Sequence, residues 1–169
     1  NAFVPVKGLQ HPHYCLKVVK FWSNVVQTRK ARKNDAKSII KLLIELGRPI
    51  PKKNETRHFS NVVNHYITDS DKSMFVALDD SKIVGMVSII FLPRLNQNRE
   101  EAWIPDLIIN KKYQKHGIGT SLLKKCLSIA EKKNCYRIRL ESGLSRKATH
   151  KFYKNLKIKP FALSFEKRI

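Results

Sequence analysis

Two rhythms of apolar residues run through the chain. Ile39, Ile40, Leu42, Leu43 and Leu46 recur at helical spacing behind the capping pair Asn34-Asp35, and Gly47 and Pro49 end the run. Phe59, Val62, Val63 and Tyr66 mark a second amphipathic helix. Strand-length stretches follow. Met74 to Leu78, the polar turn Asp79-Asp80-Ser81-Lys82 and Ile83 to Leu92 together predict a hairpin. Val25 to Arg29 reads as a first strand, and Ala102 to Ile109 as another after a polar loop over 93–101. Gly117 opens a long helix with Ile118, Leu122, Cys126, Ile129 and Ala130 on one face. Tyr136 to Leu140 alternates as a strand, Arg146 to Leu156 forms a short helix, and Phe161 to Phe165 a last strand.

The predicted order is β-α-α-β-β-β-α-β-α-β, without internal repeats. Strand–helix–strand passages need parallel neighbours and the hairpin needs antiparallel ones, so the sheet is mixed and the fold class is α/β (α+β). Residues 1–24 follow neither rhythm, because Pro5, Gly8 and Pro12 interrupt them. They are expected to form an irregular extension ahead of one domain over 25–169. His11, His13 and Cys15 have a metal-like spacing but no fourth ligand nearby, so no metal site is expected.

Composition narrows the classes. At 169 residues, 42% of them hydrophobic and 28% charged, the chain can bury a core without a disulfide or metal staple. Cys15, Cys126 and Cys135 lack paired spacing, which points to a reducing compartment and a cytoplasmic protein. The longest apolar runs fall far short of the ~20 residues of a membrane helix, so no membrane partner is expected. Lys and Arg total 34 against 13 for Asp and Glu, a net charge of +21 that attracts anions. The lysines are scattered in pairs such as Lys111-Lys112 and Lys124-Lys125. Readers of DNA bases rely instead on arginine, so nucleic acid is not the expected partner.

The stretch that carries chemistry runs from Asp106 to Thr120: an apolar strand, a short basic loop, and the start of a long helix with Gly117 and Gly119. The first N–H groups of a helix have no internal partner, and with the helix dipole they hold anions. Lys111, Lys112, Lys115 and His116 add positive charge. The spacing lacks the Gly-Lys-Ser/Thr end of a nucleotide loop. Leu122 stands where a dinucleotide fingerprint needs a third glycine.

Gln114-Lys-His-Gly117-Ile-Gly119 resembles the Gln/Arg-x-x-Gly-x-Gly/Ala motif of the GNAT superfamily of acyl-CoA N-acyltransferases. Arg139-Leu-Glu-Ser-Gly143 followed by Thr149-His-Lys-Phe-Tyr153 is similar to the family's fifth strand and Ala-x-x-Phe-Tyr helix. The resemblance covers about residues 26–168. It implies a mostly antiparallel mixed sheet whose fourth and fifth strands splay apart, with acetyl-CoA in the gap. By that resemblance the pyrophosphate lies on Gln114, Lys115, His116, Gly117, Ile118, Gly119 and Thr120. The backbone of Leu107, Ile108 and Ile109 pairs with the pantetheine. Arg146 departs from the pattern, standing where members often carry Asn, but is long enough to reach a CoA phosphate. Tyr153 matches the tyrosine that protonates the departing CoA sulfur in many members. Many members carry a glutamate just before the Asp-Leu of the fourth strand, where this chain has Pro105. Asp106 is then the first candidate base, with Glu101, Glu141 and His150 behind it.

The Leu140-to-Tyr153 text looks closest to acetyltransferases of small-molecule amines, including the aminoalkylphosphonate type. The expected reaction is direct acetyl transfer from acetyl-CoA to a primary amine of a small molecule. A cationic protein suits an acidic amine. Acceptor residues are expected from about Leu46 to Phe59 and from the 93–101 loop. The rivals are a protein acetyltransferase acting on lysine or an N-terminus, and a non-catalytic module that senses acetyl-CoA or binds nucleic acid. The sequence leaves the oligomeric state open, a homodimer included.

Overall fold

The computed structural model describes residues 26–45 and 56–169. Its elements are β1 (Gln27–Lys30), α1 (Ala36–Glu45), α2 (Thr56–Thr68), β2 (Lys72–Asp79), β3 (Lys82–Leu92), β4 (Glu101–Ile104), β5 (Leu107–Ile109), α3 (Ile118–Lys132), β6 (Arg137–Leu140) and α4 (Lys147–Asn155). The strands form one sheet in the order β1-β2-β3-β4-β6, with β5 on β3. Every pairing is antiparallel except that of β4 with β6.

Period-two alternation along β2 and β3 sends side chains to two cores. Met74, Val76, Leu78 and Met86 pack under α1 and α2 with Ile39, Leu42 and Val63. Ala77, Val84, Val87, Ile89 and Phe91 pack under α3 with Ile118, Leu122, Leu123 and Cys126. The capping role expected of Asn34-Asp35 falls to Asp35. Its carboxylate accepts from Arg32 N at 2.7 Å and from both terminal nitrogens of Arg29 at 2.6 and 2.9 Å. Cys126 and Cys135 are free thiols, and burial pushes that of Cys126 up to about 12.

The stretch expected as one strand over Ala102 to Ile109 is two strands. Pro105 has no N–H to donate, so the ladder cannot continue through it. β4 runs alongside β6 from Glu101↔Arg137 to Ile104↔Leu140, whereas β5 pairs with β3 at Leu107↔Val87, Ile108↔Met86 and Ile109↔Gly85. A gap therefore opens beside β5. Gly85 lets β5 lie close, because a Cβ there would stand 2.8 Å from Ile109 Cδ1 and 3.2 Å from the Ile108 carbonyl oxygen.

The last strand expected over Phe161 to Phe165 is a correction: no strand forms there. Phe161, Leu163 and Phe165 are exposed, and the Phe161 ring instead meets the Arg137 guanidinium, 5.0 Å from its centroid. Alternation supplies the pattern of a strand but not the ladder partner it needs. The readings of Val25, of Leu46, Gly47 and Pro49, and of residues 1–24 lie outside the described residues. Among the described residues, no helix is long and apolar enough to cross a membrane.

Candidate active site

The gap beside β5 is a pocket of about 590 Å3, walled by β5, the start of α3, the end of β6 and α4. Two hydrogen bonds fix which way its strand edge faces. Ser88 N donates to the Asp106 carbonyl at 3.0 Å, and Asn110 N donates to the Val84 carbonyl at 2.8 Å. Asp106, Ile108 and Asn110 thus pair with β3, and antiparallel alternation turns the N–H and C=O of Leu107 and Ile109 into the gap. Ile108 keeps its backbone on β3. The Ile109 carbonyl accepts from Gln114 Nε2 at 3.1 Å.

The loop between β5 and α3 is held from three sides. Asn110 Oδ1 accepts from Lys112 N at 3.0 Å, and Asn110 Nδ2 donates to Glu45 at the end of α1 at 2.7 Å. The Tyr113 hydroxyl donates to Asp79 in the β2–β3 hairpin at 2.8 Å. Lys115 and Gly117 both take left-handed conformations, φ 65° and 78°. A non-glycine residue there costs roughly 1–2 kcal/mol, and such strain clusters at ligand clamps. Apart from its two neighbours in the chain, a Cβ at Gly117 would meet no atom within 4 Å, so the space over this corner is open. The amides of Ile118, Gly119 and Thr120 are the orphan donors of the first turn of α3. Gly119 has another role. A Cβ there would lie 3.4 Å from the ring of Phe152, so this glycine lets α4 approach α3.

Lys115 and Arg146 bring positive charge to the wall, and Gln114, Gly117, Gly119, Thr120 and Tyr153 line it too. His116 and Ile118 stand outside the lining: His116 is exposed, and the Ile118 side chain is buried in the core. Ser142 also lines the gap, and its buried hydroxyl has no hydrogen-bond partner. Burial raises the Tyr153 phenol above its ordinary pKa and the positive charge of Arg146 draws it back, so the group stays protonated at neutral pH.

Of the base candidates, Asp106 faces away from this gap. It lines a second pocket of about 270 Å3 between α1, α2 and the sheet, where Ser88 Oγ donates to its carboxylate at 3.2 Å. Tyr66 lines the same pocket; burial and then the charge of Asp106 push its phenol up, against Lys72 and a hydrogen bond with Ser88. Pattern reading missed Ser88, a lone polar position in an otherwise apolar strand, and counted Tyr66 only toward the apolar face of α2. Glu101 is fully buried and held by Arg139, by Arg137 Nε at 2.6 Å and by the Tyr136 hydroxyl at 3.0 Å. Burial raises its pKa, but these donors outweigh that and hold it below the usual range. It fastens β4 to β6 and is not placed to take a proton. Glu141 lines the gap but accepts from Arg139 at 3.1 Å. His150 Nε2 lies 3.0 Å from the Gly143 carbonyl, to which it donates, and stands outside both pockets.

The residues present fit acetyl-CoA. A strand edge that turns the Leu107 N–H and C=O and the Ile109 N–H into the gap suits the pantetheine amides, orphan helix amides with two cations suit a pyrophosphate, and the Ser142 hydroxyl has capacity for one more hydrogen bond.

A model of the acetyltransferase (GNAT) family matches residues 40–157. The chain therefore belongs to the GNAT acetyltransferase family. Human N-alpha-acetyltransferase 30 is 27% identical over 92 residues, which are 54% of this chain and 25% of that protein. The chain thus spans about a quarter of the length of the curated relatives it matches. Among solved structures, a transcriptional regulator from Bacillus halodurans C-125 superposes with a TM-score of 0.77 at 21% identity, over 85% of this chain and 99% of the other. Glucosamine-6-phosphate N-acetyltransferase from Arabidopsis thaliana does so with 0.75 at 15% identity, over 86% and 99%. At such identities these two show the shared fold.

Proposed function

We propose that this chain is an acetyl-CoA-dependent N-acetyltransferase that acylates the primary amine of a small molecule by direct transfer. The observation that carries this reading is the pair of pockets back to back across Pro105–Leu107: a gap with an anion-binding corner and a protonated tyrosine on one side, a carboxylate at the head of a pocket on the other. When bound, acetyl-CoA supplies an acetyl thioester, whose carbon–sulfur bond breaks as the carbon–nitrogen bond forms. Asp106 takes the proton that the amine loses. Tyr153 gives its proton to the departing sulfur. Each positioned proton transfer contributes typically about 10²–10⁴-fold. Lys115, Arg146 and the amides of Ile118, Gly119 and Thr120 hold the pyrophosphate, and Leu107 and Ile109 align the pantetheine as an added strand.

A second reading, acetylation of protein N-termini, is favoured by one observation, the similarity to a protein named N-alpha-acetyltransferase. Release of CoA thiol from acetyl-CoA, followed over a panel of free amines and short peptides, tests both. Amine-dependent release with a free amine supports the first reading. Release with peptides alone supports the second, and release with neither refutes both.

A further inference from the structure

The net charge of +21 favours an acidic acceptor, yet the described lining of the pocket that Asp106 heads carries no cation to hold one. Its described lining contains no lysine, arginine or histidine. The sole formal charge among the described lining residues is the Asp106 carboxylate, which repels a second anion and attracts an ammonium group. The walls are hydrocarbon: Ile40, Leu43, Phe59 and Val63 line it, and Met74 and Met86 close the sheet side. Ile44 and Val62 bring exposed apolar surface to the same pocket, each 38% accessible. Tyr66 and Ser88 gather at the Asp106 end. The pocket is thus polar and negative at one end and apolar along the rest. Its polar end adjoins Leu107, whose backbone faces the cofactor gap.

Resting on the acetyltransferase reading above, we infer that this pocket selects a primary amine carrying an apolar substituent, with the ammonium group on Asp106 and the substituent between α1 and α2. The same chemistry has two sources, a free apolar amine or a peptide whose first residue is apolar. Long-range charge then serves acetyl-CoA, the polyanionic co-substrate, and not the acceptor.

The test compares four acceptors at saturating acetyl-CoA: 2-phenylethylamine, aminomethylphosphonate, a peptide beginning with Leu and one beginning with Glu. Apolar pockets discriminate on the scale of 10–200-fold per group, so kcat/KM for the apolar member of each pair should exceed that of the acidic member by at least about 10-fold. The favoured pair names the source. Val62→Lys, at a position exposed enough to tolerate it, places a cation in the pocket. It should raise the KM of the apolar acceptor about 10-fold and leave that of acetyl-CoA unchanged. Preference for the acidic acceptors, or rates indifferent to Val62→Lys, overturns the inference. If nothing is acetylated, the acetyltransferase reading fails by itself. Calorimetric titration of 2-phenylethylamine then decides the pocket: saturable binding weakened by Val62→Lys upholds it, and absence of saturable binding overturns it.

Discussion

Gly117 separates two demands that usually coincide, because its φ of 78° and the empty space around it act on different observables. An L-residue in this conformation costs roughly 1–2 kcal/mol. Apart from its two neighbours in the chain, no protein atom lies within 4 Å of an added Cβ, so tertiary packing adds nothing to that cost. For a chain this long, 1 kcal/mol moves Tm by about 2–4 °C, so Gly117→Ala should lower Tm by roughly 2–8 °C. Gly117→Asn, a residue that visits the left-handed region more readily, should lose less. Affinity follows a different rule. Any side chain here enters the space over the first amides of α3. Loss of one hydrogen bond to a charged phosphate costs about 1.5–3 kcal/mol, or roughly 10- to 150-fold in Kd. Thermal unfolding and calorimetric titration of acetyl-CoA on the same preparations give both numbers. The Asn variant should be nearly as stable as the parent and yet bind at least about 10-fold more weakly. An Asn variant that binds acetyl-CoA like the parent would show that this loop holds no phosphate.

Tyr153→Phe removes the proton donor and keeps the ring against Phe152, whose centroid lies 5.3 Å away; kcat should fall about 10²–10⁴-fold with the KM of acetyl-CoA unchanged. Glu101→Ala leaves two arginines and a tyrosine without their shared acceptor. Breaking a buried pair costs about 3–5 kcal/mol, and because Arg137 and Arg139 keep some solvent the low end is expected, seen as a Tm drop of roughly 6–12 °C. The hydrogen bonds from Arg29 hold the Asp35 carboxyl below its ordinary pKa against the effect of burial. A depressed folded pKa adds stability above the unfolded value, about 3.9 for Asp, and that contribution is lost as pH falls through the folded value. Between pH 6 and pH 3, denaturant unfolding of Arg29→Met should therefore show a shallower loss of stability than the parent.

The two amphipathic helices, the hairpin and the strand–loop–helix around Gly117 were legible because each follows a local rule of spacing or capping. The break at Pro105-Asp106 was not. Its residues read as one apolar stretch although Pro105 lacks the N–H that a ladder needs, and which half goes to β3 and which to β6 is settled only by the pairing in the folded sheet. Gly85 carries no local signal either, since its necessity comes from Ile109 on another strand. Phe161 to Phe165 had the signal without the partner. For the site, the glycine corner at the start of α3 and Tyr153, which line one pocket, were visible as motifs. The apolar pocket was not, because it is assembled from α1, α2 and β3, and its head group Asp106 shows its direction only once the pairing of β5 is known. Bulk charge pointed toward an acidic acceptor; the local lining points the other way.

One measurement reaches the central claim most directly: release of CoA thiol from acetyl-CoA by the parent protein and by Tyr153→Phe, with and without 2-phenylethylamine or a peptide beginning with Leu. The account predicts release that requires one of these acceptors and that falls by at least about 10²-fold in the Phe variant. Release that ignores the acceptor, or that is equal in the two proteins, would contradict it.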